Sequence, residues 1–233
     1  MFAIPALPSS PGIAIEPHVS CGAASKRGHL LPQISAIFWD VGGVLLTNAW
    51  DREQRQRAME HFKLDEAEFD DRHEMVISSF ERGKISLDEY LQRTIFYRTW
   101  PFTPAEFREY MFSLSQPLPD VLELARGLAM SAKYLMCSIN NESKELNQYR
   151  IQKFGLREIF TLFLSSCYVG LRKPEEGIYR LALEVTQRMP EECCFVDDRA
   201  LNLEAAERLG MHTIRMENAE QLRSGLQELT AEN

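Results

Sequence analysis

One stretch decides the fold of this chain: Phe38-Trp39-Asp40-Val41-Gly42-Gly43-Val44-Leu45. Residues 35–39 are short and largely apolar, which is typical of a buried strand, and they end at the carboxylate of Asp40. The two glycines that follow allow the backbone to turn closely around a bound group. Because ligands of an open parallel sheet bind beyond the carboxyl ends of its strands, Asp40 is a candidate site residue. An ordinary turn would have the same pattern.

Outward from this stretch, apolar segments of strand length alternate with segments of helix length. This alternation is typical of an α/β fold in which helices cover both faces of a parallel sheet, giving three layers. Residues 51–111 have helical spacing and almost no strand signal, so we predict an all-helical insertion after the first strand. The predicted strands are residues 35–39, 134–137, 160–165, 193–196 and 211–215, and the predicted helices are residues 121–133, 142–154, 175–188 and 202–209.

A second predicted strand end carries hydroxyl and amide side chains, namely Ser138, Asn140 and Asn141. They precede the helix predicted from residue 142, and the free N–H groups of a helix N-terminus favour a bound anion. An ordinary helix cap has the same composition, so this segment alone does not establish a binding site.

Two further strand ends carry charge. Lys173, just before a predicted helix, is a compact cation suited to a phosphate or to clustered carboxylates, although an isolated lysine is usually at the surface. Asp197 and Asp198 directly follow a buried strand, where two acids are costly unless a cation or strong donors meet them. This acidic pair is the most informative of the four strand ends.

Composition limits the classes of partner. The 233 residues include 26 Lys and Arg against 34 Asp and Glu, a net charge of −8, which disfavours nucleic acid and anionic membranes as partners. No apolar run approaches the ~20 residues that span a bilayer. The five cysteines have no zinc spacing and suit buried reduced thiols, so we expect a cytoplasmic protein. Residues 1–33 are rich in proline, and we expect a disordered tail or a start codon assigned too far upstream.

Taken in order, the four strand ends resemble the motifs of the haloacid dehalogenase superfamily, a phosphatase-rich group built on a Rossmann-like sheet. Asp40-Val41-Gly42-Gly43-Val44 looks like the first motif, residues 138–140 the second, Lys173-Pro174 the third and Asp197-Asp198 the fourth. The resemblance spans residues 34–216. Glu81-Arg82-Gly83-Lys84-Ile85-Ser86 and Gly170-Leu171-Arg172-Lys173-Pro174 are similar to the branch with a small helical cap, which includes the phosphatase domain of soluble epoxide hydrolases and bacterial sugar phosphatases.

The resemblance implies a division into a core, residues 34–50 and 112–233, and a cap, residues 51–111. It implies that Asp40 is the nucleophile and that Lys173 balances negative charge. It further implies Mg²⁺ as cofactor, held by Asp40, the carbonyl of Gly42, Asp197 and Asp198. The implied substrate-binding residues are Ser138, Asn140, Asn141 and Lys173.

Two positions depart from the superfamily pattern. Its phosphatases usually have an aspartate two places after the nucleophile, as general acid for the leaving group, and here that residue is Gly42. The second motif usually has Ser or Thr directly before Asn, whereas here Ile139 precedes Asn140 and the hydroxyl is one step earlier, at Ser138. The sequence leaves open whether Ser138 or Asn140 holds the phosphate.

Three functions fit these residues. We favour a Mg²⁺-dependent phosphohydrolase of a small phosphorylated metabolite, monomeric or homodimeric, that prefers good leaving groups because the second aspartate is missing. An inactive phospho-ligand binder would explain both departures but has little need of a nucleophile. A dehalogenase needs neither metal nor second acid, yet three converging carboxylates without a cation would repel one another.

Overall fold

The computed structural model describes residues 33–231, so the prediction for residues 1–32 of the tail lies outside the described part. Five parallel strands form one sheet in the order β3-β2-β1-β4-β5, which confirms the predicted α/β fold. The strands are β1 (Ala36–Trp39), β2 (Leu135–Asn140), β3 (Leu162–Ser165), β4 (Cys193–Asp197) and β5 (His212–Arg215).

The first strand lies at the centre of the sheet. Trp39 pairs with Ser138 of β2 on one side and with Val196 of β4 on the other. The N–H of Asp40 then donates to the carbonyl of Val196 at 2.8 Å, so the chain leaves the sheet directly beside the end of β4. This register brings Asp40 and Asp197 to the same edge.

Helices cover both faces of the sheet. Ile37 and Trp39 pack on one face with the helices Pro119–Ser131, Lys144–Lys153 and Ala219–Ala231. Ala36 and Phe38 pack on the other face with the helices Glu176–Thr186 and Ala200–Glu207. The alternation follows from the two-residue period of a strand. The helices after the insertion are α5 (Pro119–Ser131), α6 (Lys144–Lys153), α7 (Ser166–Val169), α8 (Glu176–Thr186), α9 (Ala200–Glu207) and α10 (Ala219–Ala231).

The segment between β1 and α5 is helical, as predicted. Its helices are α1 (Arg52–Phe62), α2 (Glu66–Glu81), α3 (Leu87–Thr94) and α4 (Pro104–Ser113), and they pack around a hydrophobic cluster that includes Trp50, Phe80, Tyr90 and Phe107. All four begin at a side-chain cap of the type the sequence favours there: the side chains of Asp51, Asp65, Ser86 and Thr103 each accept from a backbone N–H of the first turn. The cluster also includes Leu146 of α6, so the helices of the insertion pack against the rest of the chain as well as against one another.

Most element bounds differ from the predictions by one to three residues, and the bounds of β2 and α6 affect the candidate site. Strand β2 continues to Asn140, and α6 begins only at Lys144, so Ser138 and Asn140 lie within a strand rather than at a helix start. The C-terminal helix α10 was not predicted, although Leu222, Leu226 and Leu229 have the i, i+4, i+7 spacing of a helix that packs one face on the core. Over residues 33–231, no helix has the length and apolar character needed to cross a bilayer.

Candidate active site

Asp40 is the buried carboxylate at the end of the central strand. Its side chain accepts from the N–H of Val41 at 2.8 Å and lies 2.9 Å from the ammonium Nζ of Lys173. Burial raises the pKa of Asp40 to about 7, against the lowering effect of the Lys173 charge, and Asp197 adds to the rise. A further cation beside Asp40 would stabilise the charged form of its carboxylate.

Lys173 joins the first strand end to the fourth. Its Nζ donates to Asp197 at 2.6 Å as well as contacting Asp40, and the residue is 2% exposed. Burial lowers the pKa of Lys173, but the two carboxylates outweigh it and raise the pKa above its ordinary value. The ammonium therefore stays charged in the folded protein.

Asn141 holds the backbone of Lys173 in place. Its amide Nδ2 donates to the carbonyl of Lys173 at 2.9 Å, and its Oδ1 accepts from the N–H of Lys173 at 2.8 Å. These two bonds fix a loop residue against the end of β2, so the position of the ammonium is set from two directions.

The two consecutive acids differ in their surroundings. Asp197 is fully buried and accepts from the amide of Asn202 at 3.0 Å and from the N–H of Arg199 at 2.8 Å, besides Lys173. Asp198 has a buried Oδ1 with no hydrogen-bond partner among the described residues. Burial and the charge of Asp197 raise the pKa of Asp198. Asp198 thus carries an oxygen that lacks a positive partner.

Gly43 has to be a glycine because of its backbone conformation and the nearby carboxylate of Asp198. Gly43 has a φ of 75°, and a Cβ there would overlap the carboxylate of Asp198. Only glycine tolerates both conditions at once. The second glycine of the quoted stretch therefore makes room for the acid of the fourth strand end.

The three carboxylates fit a divalent cation. Asp40, Asp197 and Asp198 each offer an oxygen, and these oxygens lie within 4.8 Å of one another. Mg²⁺ takes oxygen ligands at about 2.0–2.1 Å, so opposite ligands stand about 4 Å apart. The donor set and the unpartnered oxygen of Asp198 agree with such an ion, and Mg²⁺ fits this cluster.

The polar residues at the second strand end lie in two different places, the cavity and the core. Asn141 lines a cavity of about 700 Å³ together with Asp40, Gly42 and Lys173. Asn140 donates to Asn147 at 3.1 Å and accepts from Ser165 at 2.8 Å, so its amide ties β2 to β3 and α6. Ser138 is fully buried opposite Trp39.

A buried ion pair beside Gly42 was not anticipated from the sequence. Arg150 donates to Glu142 at 2.9 Å, both residues line the cavity, and they are 2% and 7% exposed. Glu142 precedes α6, whereas Arg150 lies in its last turn. No local motif marks this pair, because its place beside Gly42 depends on the packing of α6 against the loop after β1.

The comparison with protein families agrees with this geometry. The model of the haloacid dehalogenase-like hydrolases matches residues 34–210. The chain belongs to this family. The match covers strands β1 to β4, the helical insertion and all four strand ends described above.

Individual relatives fall within the same group. Flavin mononucleotide hydrolase 1 of Arabidopsis thaliana is 31% identical over 161 residues, which are 68% of this chain and 63% of the relative. Bifunctional epoxide hydrolase 2 of Sus scrofa is 24% identical over 215 residues, 84% of this chain and 39% of the relative. The chain therefore spans less than two thirds of the length of either relative.

A solved structure shares the fold. A haloacid dehalogenase family enzyme from Bacteroides thetaiotaomicron, in complex with magnesium and inorganic phosphate, superposes with a TM-score of 0.65 at 23% identity. The superposition covers 79% of this chain and 94% of that chain. At this level of identity the likeness concerns the fold.

Proposed function

We propose that this hydrolase is a Mg²⁺-dependent phosphatase that acts on a phosphoric monoester of a small metabolite. One observation carries the proposal: Asp40 shares the buried ammonium of Lys173 with Asp197, at the wall of a cavity of about 700 Å³. Cavities of this size hold small-molecule ligands. A carboxylate beside fixed positive charge suits nucleophilic attack on a phosphoryl group, which supports the proposal.

The proposed ligands of Mg²⁺ are Asp40, the carbonyl of Gly42, Asp197 and Asp198. Asp198 is the first choice for direct contact, because its Oδ1 has no partner among residues 33–231, while the oxygens of Asp197 already accept several hydrogen bonds. When bound, the ion supplies charge neutralisation for the phosphoryl oxygens.

In the proposed reaction, an oxygen of Asp40 attacks phosphorus and the bond to the leaving oxygen breaks. The aspartyl-phosphate is then hydrolysed by water, which returns the free carboxylate. Lys173 keeps Asp40 oriented and offsets negative charge in both steps. Burial of the site strengthens these electrostatic contacts relative to water.

We further propose the second strand end as the phosphate-binding segment. Asn141 lines the cavity, and its amide has one N–H beyond the one donated to Lys173, so it is the member placed to meet a phosphoryl oxygen. Asn140 and Ser138 shape the strand end behind it. Of the four residues predicted to bind substrate, Asn141 and Lys173 line the cavity, whereas Ser138 and Asn140 do not, so we propose direct contact with the phosphate for Asn141 and Lys173 only.

The substrate should carry a good leaving group. Gly42 offers no general acid, and this loss costs on the order of 10²–10⁴-fold where the leaving oxygen must be protonated. Acyl, aryl and anomeric phosphates need least help. Trp50, Ile77 and Phe80 give the cavity an apolar wall, which suits a substrate with an organic body larger than the phosphate. The flavin mononucleotide hydrolase among the relatives supports a substrate with a large organic body, but flavin mononucleotide is itself an alkyl phosphate, so this relative does not support the leaving-group preference.

The test is phosphate release by the full chain over acyl, aryl, anomeric and alkyl phosphates, with Mg²⁺ and with EDTA. We expect activity that needs Mg²⁺ and declines from the acyl and anomeric to the alkyl substrates. Equal turnover of alkyl and anomeric phosphates would contradict the leaving-group argument. If none of these substrates is hydrolysed although inorganic phosphate still binds, the inactive binder is favoured. The departures at Gly42 and Ile139 would then explain the missing activity.

Two finer points belong to the same proposal. The cysteines of the described segment, Cys137, Cys167, Cys193 and Cys194, are free and buried, which supports a reducing cytoplasmic location. A monomer or homodimer remains our prediction for the assembly.

A further inference from the structure

The space beside Gly42 is bounded by the side chains of Asn48 and Arg150. A Cβ on Gly42 would lie 3.1 Å from Oδ1 of Asn48 and 3.5 Å from Nη1 of Arg150. Gly42 does not have a positive φ, so its backbone alone does not require glycine. A side chain at this position would meet Asn48 first and would contact the guanidinium of Arg150, which therefore lies beside the position of the missing acid.

Arg150 is buried but only partly satisfied. Its Nη1 donates to Glu142 at 2.9 Å and its Nη2 donates to the carbonyl of Thr47 at 2.7 Å. The guanidinium has five N–H donors, and its buried Nε has no partner among the described residues. At 2% exposure it nevertheless lines the cavity with Asp40 and Lys173. The structure therefore has an arginine with more N–H donors than hydrogen bonds among the residues that line the cavity.

We infer that Arg150 is a catalytic residue that donates a hydrogen bond to the leaving-group oxygen, in place of the general acid that Gly42 lacks. The inference rests on the proposed phosphatase function. As Asp40 forms its bond to phosphorus, the bond from phosphorus to the leaving oxygen breaks and its electron pair stays on that oxygen. Arg150 stabilises this oxyanion, which then takes a proton from water.

A guanidinium can donate a hydrogen bond to the leaving oxygen, but it cannot transfer a proton to it. It keeps its protons at neutral pH, so it acts as a hydrogen-bond donor rather than as an acid. Donors fixed before the reaction are effective at developing negative charge because they need no reorganisation. Glu142 is then a positioning residue, itself held by the N–H of Ser143 at 3.0 Å.

The test compares Arg150→Gln with wild type on aryl phosphates of graded leaving ability, from 4-nitrophenyl to phenyl phosphate, and on an alkyl phosphate. We expect a loss in kcat/KM that grows as the leaving group worsens, from a few-fold to on the order of 10²–10³-fold. Guanidinium chloride at low concentration should restore part of the lost activity of Arg150→Ala. A loss by the same factor on every substrate, as a purely structural arginine would give, would overturn the inference.

A second variant decides the question if Arg150 variants fail to fold. Gly42→Ala keeps the backbone carbonyl but places a methyl group against Asn48 and the guanidinium, so it should show the same selective loss on poor leaving groups. A uniform effect of Gly42→Ala would overturn the inference. The matched control is Arg126→Gln, an exposed arginine whose one hydrogen bond within residues 33–231 goes to the carbonyl of Phe154. If wild type releases phosphate from none of these esters, the proposed function itself fails.

Discussion

Asp198 shows how a single residue can favour function over stability. Its Oδ1 is buried without a partner among residues 33–231, and burial with the Asp197 charge raises its pKa. The neighbouring Gly43, at a φ of 75°, leaves the room this carboxylate occupies. The fold thus keeps an acid that its own side chains do not satisfy, as expected of a cation ligand.

We therefore expect Asp198→Asn to weaken Mg²⁺ and to stabilise the metal-free protein. The amide removes an unpaired buried charge, which should raise the free energy of unfolding by about 1 kcal/mol. Loss of a ligand should raise the Mg²⁺ concentration needed for half-maximal activity at least tenfold. Urea unfolding in EDTA and Mg²⁺ titration of activity measure the two effects. Unchanged Mg²⁺ dependence would exclude Asp198 as a ligand.

Asp197→Asn is the matched comparison. Its carboxylate pairs with the buried Lys173 at 2.6 Å, so the substitution leaves that ammonium with one carboxylate fewer. Breaking such a pair costs about 3–5 kcal/mol in other proteins. We expect a clear loss of stability with or without metal. Greater stability of Asp197→Asn than of Asp198→Asn would contradict the division of roles between the two acids.

At the scale of elements, the helical insertion contains a buried histidine that is held neutral. Tyr90 accepts from the indole N–H of Trp50 at 2.8 Å, and its hydroxyl lies 2.7 Å from Nδ1 of His73. The hydroxyl can donate its proton to Nδ1 when the neutral imidazole carries its own proton on Nε2. Burial, with a smaller effect of the Arg55 charge, lowers the pKa of His73 to about 4.

This histidine should make the protein sensitive to acid. Between pH 6.5, the ordinary pKa of histidine, and about pH 4, the unfolded chain binds a proton at His73 that the folded chain does not bind. The stability that is present above pH 6.5 is therefore lost as the pH falls through this window. Between pH 7 and pH 5 the loss should be about 2 kcal/mol. His73→Asn should lack it in urea unfolding, whereas the exposed-site control His61→Asn should keep it. Equal pH dependence of His73→Asn and wild type would contradict the assignment.

The insertion meets the core at the end of α2. Glu81 pairs with Arg172 at 2.7 Å, Arg82 pairs with Glu175, and Ser166 donates to the carbonyl of Glu81 at 2.6 Å. These contacts reach the loop that carries Lys173. The packing of the insertion and the position of the Lys173 ammonium are therefore linked through neighbouring residues of one loop.

Gly83 should be the most sensitive point of this contact. It has a φ of 66°, and a Cβ there would overlap the carbonyl of Cys167. Gly83→Ala should lower the free energy of unfolding by about 2 kcal/mol or more. Gly127→Ala is the control, because no atom lies within 4 Å of its added Cβ in helix α5, and it should stabilise by about 0.5–1 kcal/mol. Thermal unfolding should separate the two variants, and a neutral Gly83→Ala would contradict the tight contact.

At the scale of the whole molecule, the sequence predicts the frame of the site better than its detail. The strand ends at Asp40, Asn141 and Asp197 could be placed together because parallel strands end at one edge of a sheet. The pairing of Glu142 with Arg150 could not, since it depends on how α6 packs. The end of β2 was also missed, because Ser138 and Asn140 are polar residues buried within a strand.

The central claim is that Asp40 is the nucleophile of a Mg²⁺-dependent phosphatase. Its most direct test is phosphate release from 4-nitrophenyl phosphate by wild type and by Asp40→Asn, with Mg²⁺ at saturation. We predict turnover by wild type, and a loss on the order of 10⁴-fold or more in a variant that still folds, because the amide cannot form the phosphoryl bond. Retention of wild-type activity by Asp40→Asn would contradict the role of Asp40 as the nucleophile.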